Sequence, residues 1–146
     1  MTENQHKSLG RTDQKGRLFI IQRGAFLEFL KRHADRRIMI TAEVYEPGTA
    51  NGLRAYFYGV VLPICQKGLR RLGYSLNQRE TEKMIKRQSP IMLQETWNPE
   101  TGECKVQLRS VSDLSSDELR WYIEDLQRWA AEDLNAYIPD PNEELF

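Results

Sequence analysis

The chain has 146 residues, 40 % of them apolar and 29 % charged, which suits one domain around one core and excludes a disordered chain. No run approaches the roughly 18 apolar residues of a membrane span, and residues 1–15 lack the apolar stretch of a secretory signal, so a cytoplasmic location is expected. Net charge is zero, yet residues 1–89 hold 17 Lys+Arg against 8 Asp+Glu, a balance of +9, while residues 90–146 hold 4 against 13, a balance of −9.

Residues 1–15 are polar and read as a flexible lead-in to a single domain over residues 16–135. Residues 16–22 (GRLFIIQ) form a short β-type run. Residues 23–33 space Phe26, Leu27, Phe29 and Leu30 for a short helix. Residues 37–45 alternate Ile38, Ile40, Ala42 and Val44 with Met39, Thr41, Glu43 and Tyr45. That period of two predicts a half-buried strand, ended by Pro47-Gly48. Residues 51–72 carry a helical stripe from Leu53 through Tyr56, Phe57, Val60, Val61, Ile64, Cys65 and Leu69 to Leu72. Asn51 is the expected N-cap, Pro63 an interruption and Gly73 the stop.

Residues 77–88 (NQRETEKMIKRQ) predict a charged helix, with Asn77 and Glu80 at capping-box spacing. Residues 91–96 and 104–108 are β-type runs around Asn98-Pro99-Glu100-Thr101-Gly102, a hairpin pattern. Ser115-Ser116-Asp117-Glu118 is a capping box that opens the clearest helix, whose stripe is Leu119, Tyr122, Ile123, Leu126, Trp129, Ala130 and Leu134. Pro139 and Pro141 forbid helix beyond it, so residues 136–146 are expected as an extended acidic tail. The predicted class is α+β, with short strands and a hairpin packed with three or four helices.

The inventory argues against catalysis. His6 lies in the lead-in and His33 at a helix end, neither at metal-ligand or nucleophile-pair spacing. Cys65 and Cys104 make no disulfide framework and read as reduced residues. No glycine-rich phosphate loop is present. Glu124-Asp125 and Glu132-Asp133 are adjacent pairs that diverge by about 100° on a helix, which suits a solvated face better than a magnesium site. No enzyme activity, metal or cofactor is therefore expected.

The cations point elsewhere. Lys67, Arg70 and Arg71 sit near one another at helical spacing, and Arg79, Lys83, Lys86 and Arg87 fall on one side of the charged helix. A row of such donors contacts phosphates without reading sequence. Arg54 and Tyr58 add a cation beside an aromatic, the combination that stacks unpaired bases. These nine residues form the candidate nucleic-acid-binding set.

Two segments resemble a known family. One is Arg54-Ala55-Tyr56-Phe57-Tyr58-Gly59-Val60-Val61-Leu62-Pro63. The other is Tyr122-Ile123-Glu124-Asp125-Leu126-Gln127-Arg128-Trp129-Ala130-Ala131-Glu132, running on through Leu134 to Ile138, Pro139, Asp140 and Pro141. With the order of elements around them, they are similar to the phage-borne NinB family of lambda Orf-type recombination mediators. The chain departs from that pattern at Asn51-Gly52-Leu53-Arg54, where a more polar run would stand. The resemblance implies a homodimer that binds single-stranded DNA and the host single-strand-binding protein during recombination. Two other readings compete. The acidic C-terminal helix and tail would dock a basic protein partner without nucleic acid, or the carboxylates would serve a metal-dependent nuclease, which ranks last.

Overall fold

A computed structural model describes residues 4–143. Its centre is the apolar stripe of residues 51–72. Helix α2 (Ala50–Tyr56) and helix α3 (Leu62–Arg71) are joined by one wide turn, Phe57–Val61, buried along its whole length. In that turn the Leu62 amide reaches back five residues to the Phe57 carbonyl. The widened turn comes directly before Pro63, which has no amide hydrogen to continue the usual ladder, so the chain bulges there rather than breaks. The N-cap is Thr49 rather than Asn51, because the helix begins two residues earlier than expected. The Thr49 hydroxyl accepts from the Gly52 amide at 3.0 Å and donates to the Glu46 carbonyl at 2.9 Å. Gly73, at φ 97°, ends α3 as expected: its amide bonds Arg70 O and the Tyr74 amide bonds Leu69 O.

Helix α1 (Arg23–Arg32) precedes this unit, and helix α4 (Gln78–Lys86) packs against α3. The Asn77–Glu80 capping box of α4 is fully formed. So is the Ser115–Glu118 box of helix α5 (Ser116–Trp129), which lays Leu119, Tyr122, Ile123 and Leu126 on the core. The Phe57 and Tyr122 ring centroids stand 5.2 Å apart. A second wide turn, Ala130–Leu134, extends α5 and ends at Asn135 in a left-handed conformation.

Two antiparallel strand pairs complete an α+β fold. Strands β1 (Gly10–Thr12) and β2 (Leu18–Ile20) form one; β3 (Leu93–Trp97) and β4 (Cys104–Leu108) form the other, with Trp97 opposite Cys104. The second pair is the hairpin expected from the Pro-Gly spacing. Among the described residues no helix is long and apolar enough to cross a membrane.

Three expectations need correction. The lead-in over residues 1–15 is partly structured: Gly10–Thr12 pairs with β2, and Leu9 is buried in the core while its carbonyl accepts from the Ile21 amide. Residues 136–143, expected as part of an extended acidic tail, contain no helix but are packed on the domain rather than set apart from it. Ala136 and Ile138 are buried, Gln127 donates to Ile138 O, and the Tyr45 hydroxyl donates to Pro141 O. Apolar side chains at alternate positions draw that stretch onto the core. Residues 144–146 lie outside the described residues, as do residues 1–3. Finally, residues 37–45 form no strand, and residues 37–44 are exposed, with only Tyr45 part-buried against the core. A two-residue period states that a segment would fit a sheet, and among the described residues no strand pairs with it.

Candidate nucleic-acid interface

The nine candidate residues separate into three groups. Lys67 and Arg71 on α3 and Arg79, Lys83 and Arg87 on and just after α4 are exposed. Capping and packing explain their outward direction. Thr81, Glu82 and Ile85 form the buried side of α4, and Cys65, Gly68 and Leu69 that of α3. Arg79, Lys83 and Arg87, spaced by four, are left on the opposite side of α4.

Arg70 and Lys86 are exposed and half-buried, and both already hold a carboxylate. Arg70 makes a two-pronged contact with Glu28, at 3.0 and 3.2 Å, which joins α3 to α1 and holds the Glu28 carboxyl below its usual range. Lys86 Nζ lies 3.5 Å from Glu82 Oε1. Glu82 also accepts the Tyr58 hydroxyl at 3.0 Å. Lys86 thus belongs to a buried polar cluster as much as to the surface row.

Arg54 and Tyr58 do not present themselves to a base. Tyr58 is 7 % exposed; burial, then the Glu82 carboxylate, pushes its hydroxyl above the ordinary range. The Lys7 ammonium sits 5.5 Å from its ring centroid. Arg54 is half-buried and donates to Asn51 Oδ1 at 2.8 Å and to the Leu114 carbonyl at 3.5 Å, tying α2 to the segment before α5.

The charge asymmetry survives folding in one measurable respect. Arg17–Asp13, Arg70–Glu28 and Lys86–Glu82 are pairs within residues 1–89. Arg109–Glu118, Arg120–Asp117 and Arg128–Asp125 are pairs within the remainder. None of these six joins a cation of the first part to a carboxylate of the second.

Sequence reasoning passed over a second group of cations. Lys31, Arg32, Arg36 and Arg37 are exposed at and beyond the end of α1. Arg32 shares a small hollow of about 20 Å³ with His6, Glu28, Gln66 and Gln78, so the end of α1 adjoins the first turn of α4. The run Lys31-Arg32-His33-Ala34-Asp35-Arg36-Arg37 carried that signal in plain view. The exposed Trp97 was also missed; it lines a hollow of about 150 Å³ with Thr96, Asn98, Glu103 and Lys105.

Of the carboxylates, Glu124, Glu132 and Asp133 are exposed on α5 and its wide turn. Asp125 turns inward to accept the Ser89 hydroxyl at 2.6 Å. The described residues contain no cluster of three or more metal-ligating side chains. No family model matches the chain, and no match was found among curated proteins or solved structures.

Proposed function

We propose that this chain is a phage- or prophage-type recombination accessory protein: a cytoplasmic homodimer, without catalytic activity, that binds single-stranded DNA. The observation that carries the reading is the outward row Arg79, Lys83 and Arg87 on and just after α4, with Lys67 and Arg71 also exposed on α3, which packs against α4; none of the five is in the ion pairs described above. Such a row neutralises backbone phosphates and is indifferent to base identity. Arg32 and Arg36 extend the basic area beyond α1. Arg54 and Tyr58 support the fold under it in this reading, and the bases are held by other groups. The exposed carboxylates Glu124, Glu132 and Asp133 suit a protein partner, for which the host single-strand-binding protein is the proposed candidate.

The test is fluorescence anisotropy of labelled oligo(dT) over a salt series. Each phosphate contact on a single strand adds about 0.7 to the slope of log K against log salt, so Arg79→Ala/Lys83→Ala/Arg87→Ala should flatten it by about 2. Lys86 is left out of the triple because its loss would strand Glu82. A flat wild-type response, or an unchanged slope in the triple variant, refutes the DNA reading. The first result would leave an acidic docking face as the better account.

A further inference from the structure

We propose that residues 37–43 are the dimer seam, pairing antiparallel with the same residues of a second copy. The inference rests on the homodimer in the reading above and not on DNA binding. Three observations carry it. First, the segment has the alternation of a strand, with Ile38, Ile40, Ala42 and Val44 on one side and Arg37, Met39, Thr41 and Glu43 on the other. Second, it is left open: Met39 is 88 % exposed, Ile40 80 % and Val44 90 %. Among the described residues, no backbone hydrogen bond joins residues 37–45 to another part of the chain. An exposed, unpaired, apolar strand-like segment is a template for pairing with another chain. Third, it is self-complementary in charge. A two-fold axis through Ile40 sets Arg37 of one copy opposite Glu43 of the other, twice. The same register sets Ile40 opposite Ile40, Ile38 opposite Ala42 and Met39 opposite Thr41.

The register follows from the side-chain period. In an antiparallel pair, directly opposed residues share a face, so an axis on a residue keeps the isoleucine face together. An axis between two residues would oppose each apolar residue to one of the Arg37–Glu43 face. Moving the axis to Thr41 would keep the faces but set Met39 against Glu43, and Arg37 against Tyr45, whose hydroxyl is already held by Pro141. Opposite charges across a strand pair stabilise it and like charges destabilise it, so the Ile40 axis is favoured. A symmetric pairing of this kind is isologous, the same edge of both copies meeting across one two-fold axis.

Sedimentation velocity from micromolar to submillimolar protein, without DNA, is the test. Wild type should show a concentration-dependent dimer. Ile40→Lys, which sets two ammonium groups at the axis, should weaken association about tenfold or more, with an unchanged far-ultraviolet circular dichroism spectrum. In a Cys104→Ser background, Ile40→Cys should cross-link to itself under mild oxidation, while Thr41→Cys should not. A wild-type monomer throughout overturns both the dimer and the seam. A dimer that survives Ile40→Lys unweakened overturns the seam alone.

Discussion

Lys86 separates surface electrostatics from stability on a single helix. Its ammonium lies 3.5 Å from Glu82, and only 14 % and 10 % of the two side chains are exposed. The other partner of Glu82 is the buried Tyr58 hydroxyl at 3.0 Å. Replacing Lys86 with Met keeps the stem and deletes the charge, leaving a nearly buried carboxylate with one neutral donor. Breaking a fully buried pair costs about 3–5 kcal/mol, and breaking an exposed one about 0.2–1. The slight exposure and the long separation place this pair below the buried range, at about 2–4 kcal/mol, or a fall of roughly 6–12 °C in Tm for a chain of this size. Lys83→Met, three residues earlier and exposed, should stay within about 0.5 kcal/mol. Glu82→Gln in the Lys86→Met background removes the stranded charge, keeps an acceptor for Tyr58, and should recover most of the loss. Urea and thermal unfolding followed by circular dichroism reads all four proteins. If Lys86→Met is no worse than Lys83→Met, or Glu82→Gln recovers nothing, the buried cluster is not the support described.

Gly52→Ala should be severely destabilising, by about 3 kcal/mol or more, because its Cβ would stand 1.8 Å from the Glu46 carbonyl oxygen, a backbone atom with little room to move; a thermal melt within a few degrees of wild type would contradict that close approach. The His6 ring packs on Phe26 and Phe29, and burial, then the Arg32 charge, hold its pKa below the ordinary 6.5. The unfolded chain therefore binds this proton first on acidification, so the His6 contribution is complete above pH 6.5 and lost as pH falls below it. Denaturation midpoints between pH 7 and 5 should drop in wild type and flatten in His6→Gln; the depressed carboxyls of Asp13, Glu28 and Glu118 act lower, below their ordinary 3.8 to 4.5. Thiol titration should count one reactive cysteine in the native protein and two in denaturant, since Cys104 is exposed while burial pushes the Cys65 thiol up to about 12. Two fast native thiols would place Cys65 nearer the surface.

Local signals were the legible ones. Asn77 with Glu80 and Ser115 with Glu118 state their caps within four residues, and the Pro-Gly hairpin states its turn within five. What depended on distant partners was not legible. Period counting treats residues 51–72 as one regular helix, in which Tyr58 falls off the stripe of Tyr56 and Val60. The wide turn Phe57–Val61 holds an additional residue and buries Tyr58 with its neighbours. The i, i+4 spacing of Glu82 and Lys86 is visible in the sequence, but the burial that removes Lys86 from the surface row comes from packing against other elements. For residues 37–45 the two-residue period was legible but the half-buried strand it predicted does not form, because a period states which face a strand would bury and not whether a neighbouring strand is there to pair with it.

The charge split gains its meaning from which pairs form. A pair within residues 1–89 consumes one cation and one carboxylate of that stretch and leaves its excess of +9 untouched. Only pairing across the two parts could cancel the excess at contact distance, and none of the six pairs does so. Among the described residues, cancellation between the two parts then acts at longer range, and where it passes through solvent it is screened within a Debye length of about 8 Å at physiological salt. A phosphate chain lying against Arg79, Lys83 and Arg87 is nearer to them than that. The local field of the helix, not the zero net charge of the protein, therefore governs whether a polyanion is attracted.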